Sequence, residues 1–179
     1  GKVGLDEVDA QGAITVVNKY GDVDMADIRA GSLAATLDAG SINIDAITAK
    51  GELAVVNRYG KIGIDEAAAG SLKIELDAGN LLAGNIKAGA LSVDNDYGDI
   101  GIDRLELTGM GEIKSDTGNV DISLSMDEGD LSYEFDAAVG KVAVDGKDCA
   151  RSIINRAAGA KASLNVNAKF GNITARFVR

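Results

Sequence analysis

The chain has 179 residues, 46% hydrophobic but only 4% aromatic, with one cysteine, no proline and a net charge of −10. That length supports one domain built on Val, Ile, Leu and Ala, a composition that favours strands, and strands with neighbours on both sides have no place for proline. An acidic chain without a basic cluster is excluded as a nucleic-acid binder and as a ligand of anionic membranes, and no apolar run reaches the roughly 20 residues of a transmembrane helix.

At the start, Gly1-Lys2-Val3-Gly4-Leu5-Asp6-Glu7 nearly duplicates Gly60-Lys61-Ile62-Gly63-Ile64-Asp65-Glu66. The chain therefore opens in the middle of a repeat, and Val3, Leu5 and Val8 are expected to face an open end that a preceding segment, a cap or a partner would cover. The repeat itself first appears whole at Val16 to Met25, Val-Val-Asn-Lys-Tyr-Gly-Asp-Val-Asp-Met. It returns at Val55 to Ile64, Val93 to Ile102 and Val166 to Ala175. Shorter-cornered relatives stand between, as Leu37-Asp38-Ala39-Gly40-Ser41-Ile42 and Leu76-Asp77-Ala78-Gly79-Asn80-Leu81.

The corner glycines are Gly21, Gly40, Gly60, Gly79, Gly98, Gly118, Gly140 and Gly171, a stride of 19 or 20 residues that widens to 22 and then 31 at the last two. A second glycine opens most repeats, at Gly12, Gly31, Gly51, Gly70, Gly89, Gly109 and Gly129. Period-two alternation after each marks inward residues such as Leu33/Ala35/Leu37 and Leu72/Ile74/Leu76, and continues past the corner in Ile42/Ile44 and Val120/Ile122.

Such units are too short to bury their own apolar faces; stacked in parallel about 4.8 Å apart they share one core. The expected fold is all-β: a single-domain parallel β-solenoid, a right-handed β-helix of about eight rungs of 19–20 residues over 1–179. A propeller-like or hairpin array is the structural alternative, because two corner types alternate with a period of two repeats.

Stacking also sets up columns. Two residues before the corner stand Lys19, Asp38, Arg58, Asp77, Asp96 and Asp116, whose first four alternate in sign and so help set register. Immediately before the corner stand Tyr20, Ala39, Tyr59, Ala78, Tyr97 and Thr117, with Asn18, Asn57 and Asn95 accompanying the tyrosines. Tyr20, Tyr59, Tyr97 and Phe170 are the candidate binding residues, as a spaced aromatic lane; the competing and favoured expectation is that these rings pack at the corners, each over a small neighbour.

Residues 145–161 break the pattern and are expected to cap the solenoid or to serve as a binding loop, with a helical turn around Ile153, Ile154 and Ala157 and Asp148 as its N-cap. Cys149 has no partner motif and reads as a half-buried small residue.

The absence of histidine removes imidazole-based acid–base catalysis, Ser-His-Asp and Cys-His pairs and imidazole metal ligands. No phosphate loop, nucleophile elbow or dinucleotide fingerprint is present. Asp94, Asp96, Asp99, Asp103 and Asp116 are the only carboxylate neighbours worth weighing, and they read as a solvated acidic face. The expectation is a protein that is not an enzyme, with no catalytic residues, no cofactor and no metal site.

The pattern apolar-x-Asn-x-Tyr-Gly-Asp-Ile-x-Ile, carried here by Tyr20-Gly21-Asp22-Val23, Tyr59-Gly60-Lys61-Ile62, Tyr97-Gly98-Asp99-Ile100 and Phe170-Gly171-Asn172-Ile173, resembles the bacterial adhesin-type domain of unknown function known as toast-rack-like. The resemblance spans essentially the whole chain. It implies a secreted or envelope-anchored β-solenoid without catalytic residues, acting as an adhesin toward a surface protein or glycan, or as a structural spacer. Alternatives are a bactofilin-like solenoid that self-assembles as a homo-oligomer through its ends and a carbohydrate-active β-helix.

Overall fold

A computed structural model describes residues 1–178. Strands β1 (Val3–Asp6) and β2 (Asp9–Tyr20) form the first rung. Each of β3 (Val23–Ala39), β4 (Ile42–Tyr59), β5 (Ile62–Ala78) and β6 (Leu81–Tyr97) is a long bent strand that makes a rung by itself. Then come β7 (Ile100–Leu107), β8 (Met110–Thr117), β9 (Val120–Leu124), a 3₁₀ turn at Glu128–Asp130, β10 (Leu131–Val139) and β11 (Val142–Val144). The chain ends with β12 (Lys147–Asp148), β13 (Ser152–Asn155), β14 (Ala162–Phe170) and β15 (Ile173–Phe177). All fifteen strands share one wrapped sheet, with parallel pairing between rungs: the expected β-solenoid.

The phase of burial shows why each rung has three sides. In β3 the buried residues are Val23 and Met25, then Ile28 and Ala30, then Leu33, Ala35 and Leu37, so the alternation slips twice within one strand. The first slip is a bend at Asp27, which takes a left-handed φ of 50°; Glu7, Ala46 and Arg104 do the same in their rungs. The second lies beside the second glycine of the repeat. Register between β3 and β4 shifts there, between Ala30 and Leu33, and shifts back between β4 and β5 after Ala49. The extra residue of a 20-residue rung is therefore absorbed as a bulge at this bend. The third corner is the glycine column, and the inward residues expected from alternation line the core from Leu33 to Val166, with Ile14 half-buried at the first rung.

At the C-terminal end the stack departs from sequence order. Strand β14 pairs with β8 on one side and β10 on the other, while β15 lies between β9 and β11. In register, Ile113 faces Val166, which faces Phe135. Residues 162–177 thus fill a layer between 110–124 and 131–144. The backbone of the corners agrees: Gly118 N–H donates to Phe170 O at 2.9 Å, and Gly171 N–H to Val139 O at 3.0 Å.

Beyond the last parallel rung, β12 lies antiparallel on β11 and β13 antiparallel on β10. Residues 145–161 do cap the stack, but with strands in place of the expected helical turn. The reason is visible in the bonds: Ala137 N–H and Val142 N–H on the outer edge find acceptors at Arg151 O and Ala150 O, both at 2.8 Å, and a helix offers no such row of carbonyls. Asp148 is not an N-cap; its Oδ1 accepts the N–H of Ala150. Cys149 is half-buried against the core, as expected. Inside this end Tyr133 stacks on Phe135 with centroids 4.8 Å apart and donates its hydroxyl to Glu128 Oε1 at 2.8 Å. Burial first, then that carboxylate, holds the Tyr133 phenol well above its ordinary pKa.

Candidate functional site

The glycine corner is the most repeated feature of the surface, and three side-chain systems converge on it. Glycine is required by space as well as by conformation: Gly40 has φ +139°, and a Cβ there would sit 2.5 Å from the carbonyl oxygen of Gly21 one rung below. Each corner stacks directly on the previous one.

The second system explains the alternation of corner types. Asn57 is fully buried and donates both N–H groups of its amide, to Gly40 O at 3.0 Å and Lys61 O at 3.3 Å. Asn95 likewise bridges Gly79 O and Gly98 O, and Asn18 bridges Gly1 O and Gly21 O. One amide with two donors serves the carbonyls of two successive corners, so only every second rung needs an asparagine and the rung between carries Leu37 or Leu76.

The third system accounts for Asp or Asn after the glycine. Asp22 Oδ1 accepts the N–H of Ser41, Asn80 Oδ1 that of Asp99, Asp99 Oδ1 that of Asn119, Asn119 Oδ1 that of Asn172, and Asn172 Oδ1 that of Lys141. Wherever Asp or Asn follows the glycine, its side chain closes a turn donor of the next rung; Ser41 and Lys61 make no such bond.

On this frame stand the four candidate aromatics. Tyr20, Tyr59, Tyr97 and Phe170 are 70, 62, 63 and 57% exposed, so they stand at the surface, each tyrosine in register beside a small residue of the neighbouring rung. The buried polar group at the Tyr59 and Tyr97 corners is Asn57 or Asn95. In register the column reads Tyr20, Ala39, Tyr59, Ala78, Tyr97, Thr117, Phe170, Val139. Successive rings are therefore two rungs apart, about 9.6 Å. Phe170 joins this spacing only because its strand is inserted out of sequence order.

Polar residues border the lane on both sides. On one side the charged column gains Lys169 beside Asp116, whose ammonium lies 2.6 Å from Oδ1, and Arg58 stands 3.6 Å from Asp38. On the other run the Asp and Asn side chains of the turn ladder.

Of the carboxylates weighed from sequence, Asp94, Asp96 and Asp116 share one face, while Asp99 and Asp103 lie elsewhere. Asp94 faces outward between Glu75 and Lys114. Desolvation, then the neighbouring Asp96, raises its pKa. Asp99 lies across the corner, engaged in the turn ladder, and Asp103 stands 3.8 Å from Arg104. Sequence reasoning missed a shallow groove of about 530 Å³ near the C-terminal end, where exposed Met110 and Ile154 meet Glu112, Arg156 and Asn165. It forms only when β13 and β14 come to lie beside β10 and β8, so alternation along the chain carried no sign of it.

No curated protein and no solved structure matches the chain. The family model described as Toastrack DUF4097, a domain of unknown function, matches residues 5–176. With nearly the whole solenoid inside that match, the chain belongs to the Toastrack DUF4097 family.

Proposed function

We propose that this protein is a non-enzymatic binding module of the cell envelope or the extracellular space, and that the lane of Tyr20, Tyr59, Tyr97 and Phe170 is its contact surface for an extended surface polymer, foremost a glycan. The observation that carries this reading is the even two-rung spacing of four exposed rings along one column of the solenoid. Exposed aromatics bring a large apolar face at little entropic cost and dominate many contact surfaces. A linear chain of sugar rings presents alternating faces at regular intervals, which a rigid ladder of rings can meet repeatedly. The flanking Asp, Asn, Lys and Arg side chains supply hydrogen bonds to hydroxyls. Weak contacts repeated along one polymer add through effective concentration.

End-to-end assembly finds less support, since β12 and β13 cover the C-terminal edge. The test is retention on a panel of immobilised envelope polysaccharides. The reading predicts that the wild-type chain is retained by at least one linear glycan and that a variant with all four rings replaced by alanine is not; retention of both alike overturns it.

A further inference from the structure

Strands β8 and β10 are not paired with each other, and neither are β9 and β11; what joins them is the layer of residues 162–177. Without that layer, two parallel rungs about 9.6 Å apart present facing rows of unpaired N–H and C=O groups with apolar side chains between them. The body of the fold thus contains a strand-shaped slot, and the chain fills it with its own C-terminal repeat.

The contacts that hold the insert are those of the repeat. Val166 lies between Ile113 and Phe135, Ile173 between Val120 and Val142, and the turn ladder passes through Asn172. Ion pairs add polarity and register: Lys169 with Asp116 and Arg176 with Asp121. Every one of these partners belongs to the slot and none to the segment that tethers the insert. A copy of residues 162–177 from another chain would therefore make the same bonds.

The tether permits this. After β13 the chain runs through an exposed turn at Ala157–Ala160, closed by one backbone bond of 3.2 Å. Gly159 within it faces open space, with no atom within 4 Å of where a Cβ would stand, so no packing on that side of the residue holds the turn closed.

We propose that the slot between β8–β9 and β10–β11 is an acceptor site for the C-terminal strand pair of a second copy of this chain, so that two molecules can exchange residues 162–177. Exchange conserves all insert contacts and changes only the turn at Ala157–Ala160. Self-insertion wins in dilute solution because the tethered insert has an effective concentration on the order of millimolar. Exchange wins where copies are crowded as they fold, and the product then persists, since release requires a whole layer to leave the stack.

The test refolds the full chain from denaturant at micromolar and near-millimolar concentration and separates species by size. Two isotopically distinguished chains, both Cys149→Ser, are refolded together, one with Lys114→Cys and the other with Asn167→Cys, positions that face each other across the slot. The proposal expects dimer that grows at least about tenfold in fraction with concentration, carrying a disulfide between the two isotopic forms. A single chain with both cysteines should close the bond internally when refolded dilute, which verifies the geometry. Absence of wild-type dimer at every concentration overturns the proposal, as does a dimer lacking the mixed disulfide while the doubly substituted chain closes its own.

Discussion

Asn119 accepts the backbone N–H of Asn172 on its Oδ1 at 3.0 Å, across 53 residues of chain. This bond sits where the solenoid leaves sequence order, and it belongs to the ladder that runs from Asn80 to Lys141. Replacing Asn119 by alanine removes an acceptor from a turn N–H, and a net hydrogen bond is worth about 1 kcal/mol. For a chain of this size that is a fall in melting temperature of roughly 2–4 °C. Calorimetry on Asn119→Ala checks it, and Lys61→Ala, whose side chain makes no such bond, should lie within about 0.5 kcal/mol of wild type.

The two-donor role of Asn57 sets a second expectation. Asn57→Leu matches the residues above and below it, Leu37 and Leu76, and leaves apolar packing largely intact. It strips Gly40 O and Lys61 O of a donor. Because Asn57 Oδ1 already meets no donor in the protein, some of that cost is offset, and the net loss should be about 1 kcal/mol. Urea unfolding should show a lower midpoint with an unchanged slope.

Two corners with opposite needs give a paired prediction. Gly40→Ala must accept both a glycine-only φ and a Cβ against Gly21 O, and should cost about 2 kcal/mol or more. Ala46 holds a φ of 53° at the other bend. Ala46→Gly relieves about 1 kcal/mol of left-handed strain, less the added freedom of the unfolded chain, for a net gain of about 0.5 kcal/mol. Chemical denaturation of the two variants should move in opposite directions.

Asp94 makes stability depend on pH. Its pKa in the folded chain is raised by desolvation and by Asp96, so ionisation is less favourable there than in the unfolded chain. A raised folded pKa means stability that is present at low pH and lost as pH rises through the ordinary carboxylate range and past it. Asp94→Asn should therefore match wild type at pH 3 and exceed it at pH 7, by a few tenths of a kcal/mol because the group is exposed. Melting temperatures at the two pH values test the sign.

How far the chain could be read in advance follows from what is local. Leu33, Ala35 and Leu37 announce an inward face by alternation, and the corner glycines announce the stack, because both signals lie within one repeat. Ile28 and Ile47 were harder to place, since a left-handed bend at Asp27 or Ala46 shifts the phase without a glycine to mark it. The place of Phe170 beside Thr117 was beyond reach, because it depends on which of two equivalent edges a repeat occupies. The role of Asn57 and Asn95 was hidden for a related reason: the two bonds of each buried amide exist only between rungs.

The lane itself is tested most directly by the double variant Tyr59→Ala, Tyr97→Ala, measured for thermal stability and for retention in a gel loaded with the glycan that best retains wild type. Two outward rings flanked by small residues should leave the melting temperature within a degree or two, corresponding to about 0.5 kcal/mol, while retention falls at least about tenfold through loss of two stacked contacts. A variant that melts several degrees lower yet is retained as wild type would return the rings to a role in the corners and contradict the account.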